Sequence, residues 1–412
     1  MKWLASLILL LSATTTHAAE SVWVQATATG YEARATSATA ACPMLRIEAG
    51  EVPMTVRAAA NEHFPQICAA PIAPGTRDAS IAGQPLVAPV ANPERILVLG
   101  DTGCRIKGAA LQACNDPAQW PFAPLAAAAA KLKPDLILHL GDYHYRESPC
   151  PPHFAGCAGS PWGDNWATWQ ADFFTPAAPL LAAAPLVLVR GNHEDCERAG
   201  MGWLRLMGPT AFDGSCQPHL PVYTVDIGAA RLAVMDDASA PETSINRSDL
   251  PVYAAEIAAL GSLPAPVWFV HHRPIWAAIS GPLNIPVGGN RTLIEAVGSA
   301  LIPDAVELQL SGHIHSFEAI NYDKGVPPQI VAGHGGDNLH PTPQNLRGAM
   351  FQGSSGVTVT EGLSVDGFGF LLMTRSTEGW TIDLYDDGGR QIRQCRFIAA
   401  ANGNKPRVYC PA

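Results

Sequence analysis

Eight side chains placed at the ends of apolar runs share one kind of chemistry: Asp101, Asp142, Tyr145, Asn192, His193, His272, His313 and His315. Carboxylate, phenol, carboxamide and imidazole are hard-to-borderline donors. Such a set suits iron, zinc or manganese rather than a soft metal, and there are enough donors here for two ions. His313 and His315 alternate along an extended segment, which puts both rings on one side. Singly, these residues mean little, since Gly-Asp is common turn chemistry and Asn192 would serve as a helix cap. The weight lies in their recurrence in order along the chain.

Each donor group closes a run of strand length: "RILVLGDTG", "DLILHLGDYHY", "PLVLVRGNHE", "PVWFVHHRP" and "ELQLSGHIH". Continuous apolar runs mark strands covered on both faces, and such strands carry functional residues at their carboxyl ends. Five strand ends must therefore converge on one edge of a layered α/β domain. The alanine-rich "PLAAAAAKLKPD" predicts a helix stopped before Pro134, and "WATWQADFFTPAAPLL" predicts a second one. Residues 19–92 alternate apolar and polar residues between Pro and Gly, which predicts a small all-β N-terminal domain. The proline-rich "PLVAPVANPERI" joins it to a main domain over 93–390. Beyond residue 340 an alternating stretch with Gly turns predicts antiparallel strands that complete a sandwich, and 391–412 forms a tail pinned by Cys395 and Cys410.

The chain has 412 residues, 48% of them hydrophobic and 15% charged, enough to bury a sizeable core. A net charge of -10 argues against non-specific nucleic-acid binding, which needs Lys and Arg to neutralise phosphates. The first 18 residues carry Lys2, an apolar run from Leu4 to Leu11 and small residues at Thr16 and Ala18, which reads as a cleavable export signal. That run is short for a membrane anchor, so a secreted or periplasmic protein is expected. All ten cysteines follow the signal, an even number that favours disulfides. Connectivity stays open, although pairing neighbours in order gives the short loops Cys42–Cys68, Cys104–Cys114, Cys150–Cys157, Cys196–Cys216 and Cys395–Cys410.

The blocks "GDTG" (100–103), "GDYHY" (141–145), "GNHE" (191–194), "HRP" (272–274) and "GHIH" (312–315) resemble, in order, those of the calcineurin-like metallophosphoesterases, and within them the purple acid phosphatases. The resemblance implies a layered metallophosphoesterase β-sandwich flanked by helices. It also implies that Asp101, Asp142, Tyr145 and His315 hold one metal while Asn192, His272 and His313 hold another, with Asp142 bridging. Tyr145 is the hard anionic donor that favours Fe(III), so the expected cofactors are Fe(III) plus a divalent ion (Fe, Zn or Mn). Two carboxylates and a phenolate then leave roughly +2 to attract a phosphate group. The implied reaction is hydrolysis of phosphate monoesters of small molecules by metal-activated hydroxide, with His193 at the phosphate and the leaving oxygen. The alternatives are a phosphodiesterase with two divalent ions on the same fold, or a non-catalytic phosphate- or metal-binding protein.

Two departures from the family pattern stand out. Phe269 occupies the position usually held by Val, and the ligand assignment to His272 rests on the His-x-Pro continuation, with His271 the competing choice. The loop "IWAAISGPLNIP" carries no histidine where family members place one. His334, in "VAGHGGDNL", could act on the leaving group or be a plain loop residue. His144, between two ligands, is expected to point away. Arg105, Arg146, Arg190 and Arg273 flank the blocks as phosphate or salt-bridge partners, and Glu194 and Asp195 are expected to accept imidazole protons.

Overall fold

The computed structural model describes residues 19–281, 285–343, 345–349, 351, 356–401 and 403–411; the expected export signal lies outside them. The five apolar runs form the strands Arg95–Leu99, Leu136–His139, Leu186–Leu188, Val267–Val270 and Val306–Ser311. The first three lie side by side and parallel in an eleven-stranded sheet, and the last two are parallel neighbours in a seven-stranded sheet.

Successive side chains of a strand face opposite ways, and here each face finds a different cover. Ile96, Val98, Leu138 and Val187 point between the sheets, against Val234, Trp268, Val270 and Leu310. Leu97, Leu99, Ile137 and Leu188 point outward, under Phe122, Leu125 and Ala129 of the helix Phe122–Ala130 and under Trp169 and Phe173. The smaller sheet is covered likewise, with Val267 and Phe269 packed against Tyr253, Ile257, Leu293 and Ile294 of the helices Leu250–Ala259 and Arg291–Val297. This helix–sheet–sheet–helix layering is why the runs read as unbroken apolar stretches rather than alternating ones.

The first predicted helix is present and ends before Pro134. The second is broken into Trp166–Trp169, a wide turn over Gln170–Phe174, and Ala178–Leu181. The wide turn leads into Pro176, which has no N–H to continue the ladder, and it carries Asp172 inward.

The N-terminal region is strand-rich, as expected, and is continuous with the larger sheet. Ala19–Thr27 pairs parallel with Leu186–Leu188, and Gly30–Ser37, Gln66–Pro71 and Thr55–Ala58 extend the same sheet outward. A separate four-stranded sheet covers it from Met44 to Pro85. At the opposite edge Gly369–Ser376, Gly379–Asp386 and Gln391–Ile398 add antiparallel strands, and Cys395–Cys410 holds the tail against them. The five disulfides pair the ten cysteines as neighbours in order.

One buried acid makes the fold pH-sensitive. Glu318, fully buried in the strand Phe317–Tyr322, accepts a hydrogen bond from the Ala278 N–H at 3.3 Å, while its Oε1 has no partner among the described residues. Burial pushes its carboxyl up to about 8 from an ordinary value of 4.5. Between those values the folded chain holds a proton that the unfolded chain has released, so stability falls as pH rises, by about 1.4 kcal/mol per pH unit at the steepest. Urea unfolding from pH 5 to 8 should record that decline, and Glu318→Gln should flatten it.

Candidate metal centre

Strand register sets the site. Leu99, His139 and Leu188 are aligned across three parallel strands, so Asp101, Asp142 and Asn192 leave the sheet at one edge. The pairing continues past the strands, with the Asp101 N–H donating to the Gly141 carbonyl at 2.9 Å and the Thr102 N–H to the Asp142 carbonyl at 3.0 Å. In the smaller sheet Val270 is opposite Leu310, which brings His272 beside Gly312.

At this edge the backbone turns sharply. Asp101, Asp142 and His313 have φ of 57°, 58° and 68°, left-handed conformations that L-residues adopt at a cost. The glycines of the blocks make the approach possible. A Cβ on Gly191 would sit 2.1 Å from Asp142 Oδ1, and one on Gly141, itself at φ 99°, would sit 2.5 Å from His272 Nδ1.

Two groups of donor atoms result. In the first, the Tyr145 hydroxyl lies 3.1 Å from Asp101 Oδ1, 2.8 Å from Asp142 Oδ2 and 3.1 Å from His315 Nε2. In the second, His272 Nε2 lies 3.2 Å from Asp142 Oδ2, 3.1 Å from Asn192 Oδ1 and 3.3 Å from His313 Nδ1. The same oxygen, Asp142 Oδ2, belongs to both.

Each imidazole is held by its other nitrogen. His272 Nδ1 donates to the Leu140 carbonyl at 2.7 Å and His315 Nδ1 to the Asn338 carbonyl at 2.7 Å, while His313 Nε2 meets Glu242 Oε1. One nitrogen of each ring is left facing the cluster, as metal-binding histidines require. Three acceptors surround His272 Nε2, and one N–H cannot serve all three, whereas a cation can. Asp142, His272 and His313 offer ligand atoms within 4.8 Å of one another. The donor set therefore fits metal ions.

The protein's own field sets the proton balance that a bound cation would meet. Burial, with the charges of Asp142 and Asp101, pushes the Tyr145 phenol well above its ordinary value. Burial also raises Asp101. For Asp142 burial is opposed by the imidazoles of His272 and His193, which hold it well below the carboxylate range. His272, which burial alone would lower, is raised to about 10 chiefly by Asp142. A bound cation would reverse this balance and favour phenolate and neutral imidazole.

All seven expected ligands contribute a side-chain atom to one of the two groups, and His193, expected at the leaving oxygen rather than on a metal, lies beside them. The His193 ring lies 3.9 Å from the Tyr145 ring, its Nδ1 is 2.5 Å from Glu147 Oε1, and the His193 backbone N–H donates to Asp142 Oδ1 at 2.8 Å. The Nδ1–Glu147 contact is an ion-pair distance without hydrogen-bond angles. His271 turns away, with Nδ1 3.1 Å from Asp237 and 2.8 Å from the Arg273 carbonyl. His144 also points away, to the Gly163 carbonyl at 3.0 Å. His334 is buried beside Phe317, pushed down to about 3 by burial, and neither of its ring nitrogens has a hydrogen-bond partner among the described residues.

Glu194 differs from expectation. It accepts from backbone, the N–H groups of Asp142, Tyr143, His144 and Gly191 at 2.8–3.1 Å, because its carboxylate sits inside the turn those groups line. Asp195 instead caps the Glu197 N–H and faces Arg198. All four flanking arginines are paired: Arg105 with Asp337, Arg146 with Asp172, Arg190 with Asp236 and Arg273 with Glu242.

Sequence reasoning passed over two further braces. Asp172 accepts from the N–H groups of Cys104, Tyr145 and Arg146, and Asp237 accepts from those of His272 and Arg273. Asp237 was legible, since "RLAVMDDA" repeats the pattern of an apolar run closed by acids. Asp172, a lone acid inside a helical stretch, gave no such signal.

Residues 94–317, more than half of the chain, match the calcineurin-like phosphoesterase family. No curated protein matches the chain. Among solved structures, a purple acid phosphatase, PPD1, from yellow lupin (Lupinus luteus) seeds is similar at 13% identity and TM-score 0.59, over 92% of this chain and 74% of that one. PhoD is similar at 13% identity and TM-score 0.52, over 98% and 93%. At such identities the likeness concerns the fold, and it agrees with the layered sandwich described above. With the matched segment spanning all five blocks, the chain belongs to the calcineurin-like phosphoesterase family.

Proposed function

We propose that this protein is an exported phosphomonoesterase of purple-acid-phosphatase type, using Fe(III) and a divalent ion (Fe, Zn or Mn). The observation that carries the reading is the sharing of Asp142 Oδ2 between two donor groups, 2.8 Å from the Tyr145 hydroxyl and 3.2 Å from His272 Nε2. Asp101, Tyr145 and His315 would hold one ion, Asn192, His272 and His313 the other, and Asp142 both. Ions held there would supply a hydroxide nucleophile near neutral pH and spread the charge that develops on the phosphoryl oxygens.

The trivalent assignment draws on Tyr145. A phenol buried among carboxylates ionises only beside a strongly positive ion, and a hard phenolate suits Fe(III). Since the four neighbouring arginines are occupied by carboxylates, phosphate charge must be met by the centre itself. His193, steered by Glu147, is the group available to hand a proton to the leaving oxygen. Five disulfides support an oxidising compartment. Among the described residues no helix is long and apolar enough to cross a membrane.

Initial rates on an aryl phosphate monoester and its matching diester, with Asn192→Ala as control, test the proposal. A monoester preference that Asn192→Ala abolishes is expected. A diester preference would move the protein to the phosphodiesterases, and turnover untouched by the substitution would identify a contaminating enzyme.

A further inference from the structure

Beside His313 a cavity of about 240 Å³ opens directly onto the donor cluster. Its walls are Ala277, Ile279, Val287 and Ile314, contributed largely by the hairpin of Ala278–Ser280 and Pro286–Gly288. This is the segment whose sequence offers no imidazole. Of the polar groups in the wall, Thr243 lies exposed at the outer side next to Glu242, and those further in are engaged already. Asn290 accepts from the Leu293 N–H at 2.9 Å and donates to the Ala240 carbonyl at 2.9 Å, and the Gly289 N–H donates to the Ala277 carbonyl at 3.0 Å. Glu242 stands at the rim, facing His313 and 3.0 Å from the Arg273 guanidinium.

From these observations we infer that the alcohol part of the substrate is an uncharged, compact apolar group, such as an aromatic ring, seated in this cavity. The inference rests on the phosphoesterase reading and narrows it to a substrate class. A phosphoryl group at the cluster would bring the carbon group it carries to the mouth of the cavity beside His313. An apolar group there leaves water for an apolar wall, a favourable transfer. A sugar would bury hydroxyls without partners, which is costly. A second anionic group would face the Glu242 carboxylate, whose nearby cation is already neutralised. Val287 and Ile279 thus act as specificity-determining residues rather than catalytic ones.

Calorimetric binding of benzylphosphonate, methylphosphonate and phosphonoacetate to the protein as purified with its metals tests this. All three present the same phosphonate head to the centre and differ only in what enters the cavity. Benzylphosphonate should bind about tenfold tighter than methylphosphonate, and phosphonoacetate weaker than both. In Val287→Asp the benzyl-to-methyl ratio should fall to near one; should that variant not fold, Ile279→Thr should lower the same ratio. Equal affinities in the wild type, or a ratio unchanged in a folded variant, would overturn the inference while leaving the phosphoesterase reading intact. Failure of methylphosphonate itself to bind would overturn that reading, and this inference with it.

Discussion

Asp142→Asn is expected to lower phosphoester hydrolysis by at least about a thousandfold while the chain stays folded. The substitution keeps the shape of the side chain and tolerates the left-handed backbone at φ 58°. It removes the charge and turns one carboxylate oxygen into an amide nitrogen, which donates where a ligand must accept. Because Asp142 Oδ2 belongs to both donor groups, no other side chain stands in for it. The magnitude follows from the several kcal/mol of transition-state charge stabilisation that bound metals supply, at about 1.4 kcal/mol per tenfold in rate. Steady-state rates beside circular dichroism check it: an unfolded variant, or one retaining a tenth of its activity, would count against the bridging role.

The second large effect is on stability. Asp172 is fully buried, and its two oxygens take the Cys104, Tyr145 and Arg146 N–H groups at 3.0, 2.7 and 3.2 Å and Arg146 Nε at 2.7 Å. Asp172→Asn removes one partner of a buried ion pair and points an amide N–H₂ at donors. Breaking such a pair from one side costs about 3–5 kcal/mol, because the remaining charge stays buried. By contrast Arg46–Glu51 is an exposed pair, and its loss should barely move the unfolding midpoint. Urea midpoints of Asp172→Asn and Glu51→Ala, measured side by side, check the contrast. Activity should fall in the first as well, since the Tyr145 backbone loses its anchor.

What the sequence disclosed and what it withheld follow from range. The five blocks were legible because strand, glycine and donor side chain are contiguous, and a Cβ at Gly141 or Gly191 has no room beside His272 or Asp142. Continuous apolar runs predicted two-sided burial, and both faces of Arg95–Leu99 are covered. Asp172 was hidden because its partners are backbone groups as far as 68 residues away, which no local pattern encodes. The place of the N-terminal strands was hidden for the same reason. Alternation predicts that Ala19–Thr27 is a strand, yet only the folded chain pairs Gln25 with Leu186. Glu194 was expected to serve imidazoles because it adjoins ligands, whereas four converging N–H groups claim it first.

Whether one carboxylate joins two metal sites is read directly by elemental analysis of the purified protein beside Asp142→Asn. About two metal ions per wild-type chain, one of them iron, and a clear loss in the variant are expected. A single ion per chain, or a content unchanged by the substitution, would contradict the bridging role of Asp142.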